Sequence, residues 1–128
     1  MDLLLDIHVF MWFMNGSSEL SETIRKMIAK IENKCYFSIA SLWEIGIKHS
    51  IGKLQLESGF DKIKDFIIEN EIEILPLNFE HVQELVALPF HHRDPFDRII
   101  IAQGIVDRLT LISKDNHFKK YPVATFWK

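Results

Sequence analysis

Leu3-Leu4-Leu5 forms a short apolar run closed by Asp6 and predicts a buried strand. The aromatic-rich stretch His8 to Met14 then supports about one or two helical turns, ended by Asn15-Gly16. Leu20, Ile24, Met27, Ile28 and Ile31 recur at helical spacing, with Ser21 as N-cap and Glu22 in the first turn, predicting a helix to about Asn33. Cys35 to Phe37 is the next strand, followed by a helix from about Ile39 to Ser50 that Gly52 helps to end. Phe60, Ile63, Phe66 and Ile67 mark another amphipathic helix, and Ile72 to Leu75 is a short β-branched run stopped by Pro76. Asn78 caps a helix through Leu88, and Pro89 to Pro95 is a loop. Phe96 to Asp107 is a largely apolar helix leading into the strand Leu109 to Ser113, with a last edge strand near Val123 to Phe126. There is no internal repeat, low-complexity tract or linker.

Strands alternating with helices predict an α/β fold with a mostly parallel sheet covered on both faces. Such sheets bind ligands beyond the carboxyl ends of their strands, where strand order reverses. Asp6 and Asp115 lie just past two predicted strands, and Glu44 sits in the opening turns of the helix after a third. Asp97 opens a helix that leads into a parallel strand, so it starts at the same edge. Four carboxylates brought together there repel one another unless a cation lies between them.

Each acid also has a simpler reading. Asp6 suits an N-cap; Ser41-Leu42-Trp43-Glu44 matches a capping box, and Glu44 with Lys48 matches a helical ion pair. Ser38 is nevertheless the better-placed cap of that helix. Asp94 and Asp97 bracket Pro95-Phe96; Asp94 is the natural cap with Pro95 first in the helix, which leaves Asp97 to point inward. His91-His92 has no Cys or spaced third ligand and reads as solvated loop. His8 and His117 lie beside acids as candidates for orienting a substrate, without metal-ligand spacing. Oxygen ligands without His or Cys point to Mg²⁺ or Mn²⁺, and such sites usually act on phosphates.

At 128 residues and 15.1 kDa the chain fits a single domain, residues 1–128, with no need of a disulfide or structural metal. Hydrophobic content of 48% with 26% charged residues excludes a largely disordered or fibrous protein. The lone Cys35 reads as a buried small hydrophobe, and no stretch approaches a membrane span, so a cytoplasmic protein is the default expectation. A net charge of -3 gives no global attraction to nucleic acid. Arg93, Arg98, Lys48, Lys53, Lys114, Lys119 and Lys120 flank the acids in sequence and offer a basic rim around an acidic centre. Trp12, Trp43 and Trp127 read as core or interface anchors rather than base-stacking platforms. No Gly-rich phosphate loop or nucleophile elbow is present.

Leu3-Leu4-Leu5-Asp6-Ile7-His8 resembles the opening strand and Asp-Thr-His motif of the PIN-domain ribonucleases, in particular the VapC toxins of bacterial toxin-antitoxin pairs. Ser38 to Ile45 resembles their Glu-bearing helix, and His92-Arg93-Asp94-Pro95-Phe96-Asp97-Arg98 with Ile101-Ala102-Gln103 is similar to their most specific block. Leu109 to Asp115 resembles the last acidic strand end, and Tyr121-Pro122-Val123 with Trp127 fits the close. The resemblance implies a PIN-like three-layer sandwich in which Asp6, Glu44 and Asp97 form the acidic core and Asp115 completes it with Ser113 nearby. Asp94, Ser38, Arg98 and His8 are candidate accessory residues. It also implies Mg²⁺- or Mn²⁺-dependent cleavage of RNA, homodimerisation, and inhibition by a small VapB-type antitoxin in a toxin-antitoxin hetero-oligomer. Ile7 departs from the family's usual Thr and removes any hydroxyl contact made there.

Two other classes compete. A phosphoryl-transfer enzyme or phosphatase on a receiver-like sheet needs a nucleophilic Asp within reach of a Lys, but Lys114 adjoins Asp115 and points away from it, and Asp6-Ile7-His8 lacks a second Asp. A catalytically inactive PIN-like binding module would keep the acids and bind no Mn²⁺.

Overall fold

A computed structural model of the chain describes residues 1–56, 58–91 and 94–128. The expectations for His92 and Arg93, and part of the loop from Ser50 to Gly59, lie outside the described residues. Among the described residues, five parallel strands, β1 (Asp2–Leu5), β2 (Lys34–Ser38), β3 (Glu73–Leu75), β4 (Thr110–Ile112) and β5 (Thr125–Phe126), form one sheet in the order β3-β2-β1-β4-β5. From β1 the chain adds β2 and β3 on one side and then β4 and β5 on the other. The reversal falls between β1 and β4, where Leu5 pairs with Ile112 and the Asp6 amide donates to the Ile112 carbonyl at 3.1 Å.

Successive strand side chains face opposite sides of a sheet, and β1 shows the consequence. Leu3 and Leu5 join a core with Val9 and Phe10 of α1 (Ile7–Asn15), Ile24 and Ile28 of α2 (Glu22–Ala29), Ile45 of α3 (Ile39–Ser50), and Ile63 and Ile67 of α4 (Asp61–Glu69). Phe10 stacks on Phe37 at 3.9 Å in this layer. Leu4 faces a second core with Ile100, Ile101 and Ala102 of α6 (Pro95–Val106), backed by Leu88 after α5 (Phe79–Ala87). The sheet is thus the middle of three layers. Gly104 permits the close approach of α6 to the chain's last segment, since a Cβ there would stand 2.8 Å from Val123 Cγ2.

Caps set most of the boundaries. Ser21, Ser38 and Asn78 each accept a backbone N–H at their helix starts, and His81 Nδ1 accepts the Asn78 amide in return. The second helix is shorter than its periodicity predicts. It stops at Ala29 because Lys30 is extended, Asn33 Nδ2 donates back to the Met27 carbonyl, and Ile31 is left 87% exposed rather than in the core. A 3-10 helix over Asn116–Lys120 is an addition to the predicted elements.

Candidate metal centre at the strand-order reversal

Asp6 occupies the N-cap position of α1, yet its side chain forms no capping hydrogen bond. Its Oδ2 instead accepts the Ser113 hydroxyl at 2.7 Å, a contact that bridges the carboxyl ends of β1 and β4. Both residues are buried. Burial pushes the Asp6 carboxyl above the ordinary range, an effect the Ser113 hydrogen bond partly offsets.

Asp97 enters from the first turn of α6. Asp94 caps this helix, accepting the amides of Phe96 at 2.9 Å and Asp97 at 3.2 Å, which leaves the Asp97 carboxylate to the site. Burial, together with repulsion from Asp94, Asp6 and Glu44, pushes Asp97 up to about 7, against the opposing pull of His117. Glu44 is buried inside α3, with Ser41 within the same helix, so no capping box forms there. The Lys48 ammonium donates to Glu44 Oε2 at 2.7 Å, realising the ion pair predicted from spacing. The ring of Trp43, which follows Leu42 on this helix, meets Phe96 edge-on at 5.4 Å and ties the starts of α3 and α6 together.

Asp115 stands at the rim. It caps the 3-10 helix through the His117 amide at 3.3 Å, and its own amide donates to Ser113 Oγ at 3.1 Å. The His117 ring lies between two carboxylates: Nε2 is 3.3 Å from Asp97 Oδ2, and Nδ1 contacts Asp115 Oδ1. Sequence spacing gave His117 no ligand pattern; the 3-10 turn is what carries it to the acids. Asp6, His8, Trp12, Lys114 and Asp115 line a cleft of about 290 Å³ beside this cluster. Trp12 therefore contributes to the cleft wall as well as to the core packing expected of it. Lys114 pairs with Glu19 at 3.5 Å.

Arg98 follows Asp97 but extends into the protein. Its guanidinium donates to the carbonyls of Pro89 at 2.9 Å, Leu85 at 3.3 Å and Leu88 at 3.4 Å, beneath the Phe90 ring. Ser38 Oγ is engaged as the cap of α3. His8 is exposed, with its ring 6.0 Å from Trp12.

Crowded carboxylates with oxygen donors suit a hard cation, and such an ion would relieve the repulsion that adds to burial in raising Asp97. Among the described residues, no three His, Cys, Asp or Glu side chains converge as they stand to enclose one. Lys48 at Glu44 and His117 beside Asp97 occupy part of the acidic cluster instead.

A parallel sheet with acids gathered at its strand-order reversal defines an α/β protein with an acidic centre at the carboxyl edge. The chain belongs to the PIN domain family, which it matches over residues 3–124. Its fold is similar to a chain of the Rickettsia felis VapBC2 complex bound to a DNA fragment from its promoter, with TM-score 0.76 and 16% identity over 98% of both chains. It is likewise similar to a chain of VapBC-1 from nontypeable Haemophilus influenzae, with TM-score 0.73 and 14% identity over 98% of this chain and 97% of that one. DNA-bound VapBC from Salmonella typhimurium gives 0.71 and 12% over the same shares. No curated protein matches the chain by sequence. Among the described residues no helix is long and apolar enough to cross a membrane.

Proposed function

We propose that this chain is a VapC-type toxin, a Mg²⁺- or Mn²⁺-dependent endoribonuclease restrained by a VapB-type antitoxin. The observation that carries this reading is the meeting of Asp6, Asp97 and Glu44 at one sheet edge, where burial first, and then repulsion from Asp94, Asp6 and Glu44, push Asp97 up to about 7. Asp6 and Asp97, with Glu44 and Asp115, would hold the cation. When bound, it stabilises charge on the scissile phosphate and makes water a better nucleophile. Ser113 fixes the Asp6 carboxylate, Asp94 fixes the start of α6, and His117 steadies Asp97. The likeness to VapBC complexes supports an antitoxin partner. Homodimerisation is supported by Phe79, Val82 and Val86, exposed at helical spacing along α5, with Phe90 beyond them.

Ser113→Ala removes a neighbour that orients a ligand rather than a ligand. It should weaken Mn²⁺ binding roughly tenfold, measured by calorimetry, while lowering stability by about 1 kcal/mol. The functional reading is tested by induced expression with and without the product of an adjacent small reading frame, followed by mapping of RNA ends. Growth arrest with new RNA ends, relieved by the neighbour and absent for Asp6→Asn, is the expected result. Harmless expression with intact RNA would count against the reading.

A further inference from the structure

Glu44 is 8% exposed, and a carboxylate so placed needs a positive partner close at hand. Lys48, one turn further along α3, supplies it with Nζ at 2.7 Å from Oε2, while its own side chain stays 49% exposed. Surface pairs at this spacing contribute little, but this one has a buried acid at one end. Lys48 also lies within electrostatic reach of Asp94 and Asp97, so its ammonium sits at the border of the acidic cluster. We propose that Lys48 is the resident counter-ion of the candidate metal centre, competing with a divalent cation for Glu44 and so setting the metal concentration at which the site fills.

This inference rests on the metal-site reading above. In the ion-free protein the ammonium neutralises Glu44; as the cation arrives, Glu44 exchanges one positive partner for another, and the flexible, half-exposed Lys48 side chain swings toward solvent. A lysine that acted only through its charge would lower metal affinity equally with or without the Glu44 carboxylate.

The test is Mn²⁺ titration by calorimetry of the unmodified chain, Lys48→Met, Glu44→Gln and the double variant, with thermal unfolding of each in EDTA. Lys48→Met should bind Mn²⁺ roughly tenfold more tightly, the size expected for freeing Glu44 from one charge-assisted hydrogen bond. In EDTA the same variant should unfold at a lower temperature, with Mn²⁺ restoring it. In the Glu44→Gln background the gain should shrink to about twofold or less, because the contested carboxylate is gone. Unchanged or weaker Mn²⁺ binding by a folded Lys48→Met protein would overturn the competition while leaving the metal site in place. A gain of full size in the Glu44→Gln background would overturn it too, showing general electrostatics instead. Failure of the unmodified chain to bind Mn²⁺ would overturn the metal-site reading and this inference together.

Discussion

Asp97→Asn should reduce RNA cleavage by at least about 10³-fold and at the same time make the metal-free protein more stable at pH 8. The two effects share one cause. A buried carboxylate pressed by Asp94, Asp6 and Glu44 titrates at about 7 in the folded chain against 3.8 as its ordinary value. The folded state therefore holds the proton more tightly than the unfolded state. Its contribution to stability is fully present below pH 3.8 and is lost as pH rises through 7. An amide carries no charge at any of these pH values. The advantage of the variant should accordingly be absent near pH 3.8, grow toward pH 7, and level off above it at roughly 2–4 kcal/mol, less whatever the weakened His117 contact takes back. Thermal unfolding in EDTA across that range checks this directly; a variant less stable than the unmodified chain at pH 8 would show that Asp97 is a structural ion-pair residue.

Arg98→Met should lower stability by about 3–4 kcal/mol, measured by urea unfolding. The guanidinium donates to three carbonyls around the end of α5, where a helix leaves acceptors without internal partners, and Phe90 covers its face at 4.0 Å. A methionine fills similar space but donates nothing, so Leu85, Leu88 and Pro89 lose donors in a partly buried setting. Arg98→Lys keeps the charge without the fork of donors and should recover about half of the loss. An Arg98→Met protein as stable as the unmodified chain would mean that water satisfies these carbonyls.

The strand and helix sequence was legible because both kinds of periodicity are undisturbed here. Leu3 and Leu5 face one core while Leu4 faces the other, and α3 spans Ile39–Ser50 as its pattern predicts. The second helix was overestimated because Ile31 continues the apolar spacing although the backbone has already turned extended at Lys30. Periodicity records which side chains suit a helix face, not where a backbone amide such as that of Asn33 finds a nearer acceptor, in this case the Lys30 carbonyl. At the candidate site, the placement of Asp6, Glu44 and Asp97 followed from the direction of the elements that carry them. The Ser113 hydrogen bond to Asp6 and the position of His117 did not, since each depends on register across β1 and β4 or on a short 3-10 turn with little sequence signature. Cys35 is buried as expected, and burial pushes its thiol up to about 11, which suits it to packing rather than to chemistry.

The most direct test is cleavage of a defined RNA by the purified chain and by Asp6→Asn, each with Mn²⁺ and with excess EDTA, alongside circular dichroism. The expected products require Mn²⁺, disappear in EDTA, and fall at least about 10³-fold in an Asp6→Asn protein of unchanged fold. Cleavage at the same rate by the variant, or undiminished cleavage in EDTA, would contradict the proposed function.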